Sequence, residues 1–192
     1  MSHPETTGTR HTRTTDELLA EIGGRIERLD TGPQEGLKRG RIAVLRRDEA
    51  YTRGAIREGA VCVEHGVRNL DARVEIAERS VAADLAQGSG AFLDAVMREM
   101  QAWDLYLERR QLGAAMTAGL DRDRVEAAIS ELRRCTNAVR ERVAEVRSPR
   151  GAAPHRGRRR VQVARDDLER RAAAFGATWT DWEAFDGTGR VD

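Results

Sequence analysis

Residues 91 to 147 contain two series of apolar side chains, one on each side of a short turn. Within each series the apolar residues are three or four positions apart. The first series is Leu93, Val96, Met100, Trp103 and Leu107, and the second is Val125, Ala128, Leu132, Cys135 and Val139. This spacing puts each series along one side of an α-helix, as in an a/d seam. Between them, Gly119 can end a helix in the left-handed conformation and Asp121 can cap the next one. The segment predicts an antiparallel coiled-coil hairpin.

The composition favours helices throughout the chain. Charged residues make up 34% of the 192 residues and hydrophobic residues 40%, whereas aromatic residues make up only 4%. This balance suits long solvated helices with narrow apolar stripes. The prolines are Pro4, Pro33, Pro149 and Pro154, so none interrupts residues 34–148. We therefore predict an all-α protein: an elongated antiparallel helical bundle with a flexible N-terminal arm and a C-terminal helix after a basic linker.

Two further helical patterns precede the hairpin. A third seam consists of Ile56, Ala60, Val63, Val67, Leu70, Val74, Ala77 and Val81. Because this seam is regular only from about Gly54, we predict a helix break between Asp48 and Gly54. Near the N-terminus, Thr14 and Glu17 match a capping box. The short helix that follows would place Leu18, Ile22, Ile26 and Leu29 on one face.

These patterns divide the chain into five segments. We assign residues 1–13 to a disordered arm, 14–53 to N-terminal helical segments, 54–148 to an up-down-up three-helix bundle, 149–160 to a basic linker, and 161–192 to a C-terminal helix with an aromatic and acidic tail. The last helix would bury Val161, Ala164, Leu168, Ala172 and Phe175 on one face. Gly176 is expected to break it.

The tail contains half of the eight aromatic residues of the chain: Phe175, Trp179, Trp182 and Phe185. Large aromatic side chains often anchor interfaces. Two interpretations remain open, because the tail could fold onto its own bundle or dock on a partner protein. In either case these four residues are the predicted contact surface.

The thin apolar stripes also predict self-association. Stripes of valine, alanine and leucine bury little apolar surface within one chain, and residues 34–51 have no obvious partner there. Sharing such surfaces between copies gives a homo-oligomer, most simply a dimer.

The function expected from these features is that of a cytoplasmic adaptor or assembly protein without catalytic activity. The net charge of +1 gives no overall attraction to nucleic acid. We predict no cofactor and no metal, since the sequence contains neither a Glu-x-x-His pair nor a glycine-rich phosphate loop. No membrane association is expected, because no signal peptide and no run of about 20 apolar residues is present.

The alternative is a DNA-binding protein. Residues 111–130 resemble the helix-turn-helix of bacterial repressors, with matches at Ala115, Gly119, Leu120, Val125 and Ala128. The resemblance implies that the start of the second helix faces DNA, although Asp121, Asp123 and Glu126 there would oppose phosphate. The arginines assigned to this alternative are Arg122 and Arg124, together with Arg156, Arg158, Arg159 and Arg160 of the basic linker.

Overall fold

A computed structural model describes the backbone of residues 13–31, 38–59, 61–116, 122–148 and 154–188, and their side chains except at 38, 39, 116, 154 and 176–188. These ranges form six helices: α1 Thr15–Asp30, α2 Lys38–Arg57, α3 Val63–Leu85, α4 Phe92–Met116, α5 Arg122–Arg147 and α6 Pro154–Thr188. They contain no strand, so the all-α prediction is confirmed. Residues 1–12 of the predicted N-terminal arm and the turn at residues 118–121 lie outside the described residues.

Helices α3 to α6 surround one apolar core. Neighbouring helices run antiparallel: Arg147 at the end of α5 pairs with Asp94 at the start of α4, and Arg133 donates a hydrogen bond to Gln111 at 2.8 Å. The buried residues of this core include Ala72 and Ala83 of α3, Phe92, Val96, Met100, Trp103 and Leu107 of α4, Val125, Ile129, Leu132, Val139 and Val143 of α5, and Val161, Leu168 and Phe175 of α6. The seam positions predicted on α4, α5 and α6 therefore all face it or its edge.

Helices α1 and α2 pack against α3 around a second core. Its buried residues are Leu19, Ile22, Ile26, Leu45, Leu70 and Val74. The capping box at the start of α1 is present, with the Thr14 amide donating to Glu17 at 2.7 Å and the Glu17 amide donating to Thr14 Oγ1 at 3.3 Å. Leu19 is buried where Leu18 had been predicted, and Leu18 is half-buried.

Helix α3 belongs to both cores, which corrects the predicted bundle of residues 54–148. Leu70 and Val74 of the predicted seam face α1 and α2, not the hairpin helices. The opposite side of α3, with the small residues Ala72 and Ala83, faces the core shared with α4, α5 and α6. The helix that completes that core is α6, which the sequence had placed beyond a linker.

The break between α2 and α3 also differs from the prediction. Helix α2 continues through residues 48–54 and ends at Arg57. Gly59 has a φ of +71°, a left-handed conformation that glycine adopts without a Cβ clash. The Val61 amide donates back to the Ala55 carbonyl at 3.3 Å, as at a glycine-terminated helix end.

Helix α6 is longer than predicted at both ends. It begins at Pro154, so the second half of the predicted linker is helical, and proline suits a first helical turn. It continues through Gly176 to Thr188, and the break expected at Gly176 is absent. None of the described helices combines the length and the apolar character needed to cross a membrane.

The contact between α3 and α4 yields a stability prediction. A Cβ on Gly113 of α4 would lie 1.7 Å from Cε1 of His65 on α3. We expect Gly113→Ala to lower the free energy of unfolding by about 1–3 kcal/mol, since overpacking forces neighbouring side chains to move. Gly54→Ala is the matched control, because a Cβ there meets open space; it should raise stability by up to about 1 kcal/mol. Urea unfolding measures both changes.

A double variant shows whether contact with the His65 ring causes the loss of stability in Gly113→Ala. Adding His65→Ala removes the ring that the new methyl group would strike. The double variant should then be more stable than the sum of the two single changes implies. Strict additivity would show that the His65 ring does not limit the space at Gly113.

Candidate nucleic-acid interface

An open groove of about 970 Å³ lies on the outer face between α5 and α6. Six arginines line it: Arg134 and Arg142 from α5, and Arg156, Arg159, Arg160 and Arg170 from α6. Asp167 is the one carboxylate among the described lining residues, and the others are Cys135, Ala138, Val163 and Ala164. We call this surface the α5–α6 groove. Its lining carries a strong positive charge on a chain that is nearly neutral overall.

Half of these arginines form no ion pair with the residues that the structure describes. The paired ones are Arg134 with Glu131, Arg142 with Glu145, and Arg170 with Asp167. In contrast, Arg156, Arg159 and Arg160 are exposed and form no ion pair with any residue that the structure describes. Their guanidinium groups are available to an anion from outside.

Helix geometry explains why these three arginines share one side of α6. Residues three and four apart are neighbours on a helix surface, which groups Arg156 with Arg159 and Arg160. Their end of α6 also lies close to α5, since a Cβ on Gly157 would be only 2.5 Å from Cγ2 of Val146. This close approach brings the arginines of α6 beside those of α5.

The opposite side of α6 carries a buried arginine. Arg165 is fully buried and donates from Nε to Glu99 at 2.9 Å, from Nη1 to Asp84 at 2.9 Å and Gln162 at 2.8 Å, and from Nη2 to Ser80 Oγ at 3.1 Å. The planar guanidinium thus satisfies donors on both of its terminal nitrogens. These contacts tie α6 to α3 and α4.

Arg41 and Glu169 extend these contacts into an ionic cluster, which consists of Arg41, Asp84, Glu99, Arg165 and Glu169. Arg41 of α2 pairs with Glu169 of α6, and its Nη1 lies 3.7 Å from Asp84. Two guanidinium groups therefore face three carboxylates, counting Glu99. Glu99 is 1% exposed, and burial raises its pKa to about 7, an effect that the charge of Arg165 opposes and that of Glu169 reinforces. With this pKa, Glu99 exchanges its proton near neutral pH, unlike an ordinary glutamate.

A second polar site lies between α2, α3 and α4. It is a cavity of about 30 Å³, lined in part by Asp48, His65, Asn69, Arg73 and Arg110. Asn69 Nδ2 lies 2.8 Å from His65 Nε2, while Asn69 Oδ1 is buried without a hydrogen-bond partner among the described residues. Burial lowers the pKa of His65, and the charge of Arg110 lowers it further. The volume and the open acceptor suit one or two ordered waters.

Comparison with known proteins identifies no relative. No family model matches the chain, and neither the curated proteins nor the solved structures contain a match.

Three of the six arginines that the sequence assigned to nucleic acid lie in the α5–α6 groove. Arg158 turns away from the α5–α6 groove: it donates to the Ser89 carbonyl at 3.0 Å and lies 5.9 Å from the centroid of the Phe92 ring. Arg122 and Arg124 sit at the far end of α5, and Arg122 donates to a carbonyl near the end of α4 at 3.3 Å. Only the other three belong to the groove.

Sequence reasoning missed Arg134, Arg142 and Arg170 as members of this surface. Arg134 and Arg142 are eight residues apart on α5, a spacing that puts them on one side of the helix. That signal was visible in the sequence. The two arginines form a joint surface with α6 only because α6 packs against the same side of α5. This contact was not predicted, because residues 149–160 had been assigned to a linker.

The packing of α4 and α5 differs from that of a helix-turn-helix. The two helices of that motif cross at about 90–120°. Here Arg140 pairs with Asp104, and Arg147 pairs with Asp94, so α4 and α5 lie side by side along most of their length. The turn that would present the motif, at residues 117–121, lies outside the described residues.

The predicted aromatic surface is described only in part. Phe175 is 7% exposed and packs in the core formed by α3 to α6. Trp179, Trp182 and Phe185 fall on the continuation of α6, and their side chains lie outside the described residues. Self-docking and partner docking of the tail therefore both stay predictions.

Proposed function

We propose that the protein is a cytoplasmic, non-catalytic binding protein that holds nucleic acid in the α5–α6 groove. The observation that carries this proposal is the grouping of Arg156, Arg159 and Arg160 beside three further arginines; all three are exposed and form no ion pair with a described residue. Guanidinium groups donate paired hydrogen bonds that match phosphate oxygens, and such charge-assisted bonds are among the strong ones. A polyanion presents phosphates in the repeated array that this surface fits.

The paired arginines would contribute less than the unpaired ones. Arg134, Arg142 and Arg170 must exchange a carboxylate on their own helix for a phosphate, so much of the gain is offset. Exposed pairs of this kind are worth roughly 0–1 kcal/mol, which leaves them free to exchange. We therefore count three strong phosphate contacts and up to three weaker ones.

Replacing Arg156, Arg159 and Arg160 together with glutamine should weaken nucleic-acid binding about 100-fold. This figure takes a net loss of about 1 kcal/mol for each of three contacts. Fluorescence anisotropy with a labelled 24-base-pair DNA at low salt measures it. The substituted side chains are exposed, so thermal stability should change little.

A matched triple variant, Arg28→Gln, Arg57→Gln and Arg98→Gln, removes the same charge elsewhere. These arginines are also exposed and form no ion pair with a described residue. Affinity should stay within a few-fold of that of the parent protein. Equal losses in both triple variants would assign binding to net charge and not to the α5–α6 groove, and no binding by the parent protein would reject the proposal.

A protein partner at the C-terminal end of α6 is the second candidate. It is favoured by the continuity of α6 to Thr188, which puts residues 175, 179, 182 and 185 on one helix. If the tail docks on a partner, Trp182→Ala should abolish capture of that partner and leave the melting temperature unchanged. If the tail folds onto its own bundle, the same change should lower the melting temperature, as differential scanning fluorimetry would show. The predicted homo-oligomer, most simply a dimer, remains part of this second proposal.

A further inference from the structure

We infer, building on the proposed function, that the α5–α6 groove binds the backbone of double-stranded nucleic acid and does not read its base sequence. Between the arginines lie Cys135, Ala138, Val163 and Ala164. These small aliphatic and thiol side chains admit a sugar-phosphate backbone but provide no ring on which an unpaired base can stack.

The arginines form two rows, one on each helix. At a rise of about 1.5 Å per residue, the row from Arg156 to Arg170 on α6 is about 21 Å long, and that from Arg134 to Arg142 on α5 is about 12 Å long. Packed helices lie about 8–10 Å apart. Two rows at this separation can meet the two lines of phosphate that border a minor groove about 6 Å wide. A single strand offers only one such line.

The width of the helix pair keeps it away from base edges. A single helix is about 10 Å across, and α5 and α6 lie side by side, so their shared face is about 20 Å wide. The major groove, where base pairs are distinguished, is about 12 Å wide. The face therefore lies across the backbone and cannot enter that groove as one body.

The carboxylate in the lining does not oppose this arrangement. Asp167 lies 3.3 Å from Arg170 and 3.1 Å from Arg171, so its charge is already balanced within α6. The exposed arginines Arg156, Arg159 and Arg160 lie toward the other end of the helix. They supply the main attraction.

The test compares ligands on the intact chain at one salt concentration. Fluorescence anisotropy would be measured with two labelled 24-base-pair DNA duplexes of unrelated sequence and with their separated strands. We expect the two duplexes to bind within threefold of each other, and at least tenfold more tightly than either strand. A strand that binds as well as its duplex, or a tenfold preference for one duplex, would overturn the inference while leaving nucleic-acid binding intact. Absence of binding to every probe would reject the proposed function as well.

A gain-of-function variant tests the role of the groove floor, formed by Cys135, Ala138, Val163 and Ala164. Val163 is 60% exposed, so Val163→Tyr adds a ring without filling the core. Stacking of bases on this ring should strengthen single-strand binding about fivefold or more and change duplex binding less than twofold. If the tyrosine strengthens duplex and single-strand binding equally, or neither, the floor does not set the preference between them.

Discussion

Replacing Arg165 with methionine should lower the free energy of unfolding by about 3–5 kcal/mol. Arg165 is completely buried and is the common partner of Glu99, Asp84 and Ser80, so its removal leaves carboxylates inside the protein without their main counter-charge. Among the described residues, Arg41 is then the one cation left in the cluster, at 3.7 Å from Asp84. Chemical denaturation followed by circular dichroism measures the loss.

Two variants separate charge from geometry in this experiment. Arg165→Lys keeps the positive charge but cannot reproduce the forked contacts, so its loss should be intermediate. Arg160→Met, at an exposed position five residues before Arg165 on α6, should change stability by less than about 0.5 kcal/mol. A loss below 1 kcal/mol for Arg165→Met would mean that the ionic cluster does not hold α6 in place.

Replacing Glu99 with glutamine should raise the free energy of unfolding, whereas Arg165→Met lowers it. The size of the increase should depend on pH. In the folded protein the pKa of Glu99 is about 7, against an ordinary value of 4.5, so folding favours the protonated carboxyl. The stability that this proton contributes is complete below about pH 4.5 and is lost as the pH rises through 7. Above pH 8, Glu99→Gln should therefore be more stable than the parent by up to about 3 kcal/mol. Near pH 5 the two should differ little.

The groups that face Glu99 define the control for this experiment. Arg165, Glu169 and Arg41 are present in both proteins, so the difference between them isolates Glu99. Glu126→Gln, at an exposed position on α5, removes a carboxylate elsewhere and should change stability by less than about 0.5 kcal/mol. If Glu99→Gln instead becomes less stable than the parent protein as the pH rises, the ionised carboxylate stabilises the fold.

The amphipathic helices were predictable from the sequence because each has one dominant apolar stripe. Met100 and Leu107 on α4, and Leu132 and Val139 on α5, are all buried as expected. Helix α3 was only half predictable, since it has two buried faces. Its second face is lined by alanines such as Ala72 and Ala83, which carry little hydrophobic signal.

The ionic cluster could not be predicted from the sequence. Arg165 and Glu99 lie 66 residues apart, and each sits in a stretch where charged residues are frequent. A charge on a helix is usually solvated, so pattern reasoning assigns it to the surface. The end of α2 was difficult to predict because residues 36–66 contain five glycines. Of the four that the structure describes, only Gly59 has the left-handed backbone that ends α2.

The α5–α6 groove was predictable only in its arginines and not in its shape. Arg156, Arg159 and Arg160 stand out in the sequence as a basic run, but proline and glycine beside them suggested a linker. Once Pro154 begins a helix, the same residues occupy one side of it and meet α5. Their function depends on that contact.

The salt dependence of duplex binding tests the central claim most directly. Each phosphate contact contributes about −0.9 to the slope of log K against log salt concentration, so three to six contacts predict a slope of about −3 to −5. Removing Arg156, Arg159 and Arg160 together should reduce the magnitude of that slope by about 2.7. The triple variant at Arg28, Arg57 and Arg98 should keep the parental slope. A slope that is unchanged in the groove variant, or close to zero in the parent protein, would contradict nucleic-acid binding by the α5–α6 groove.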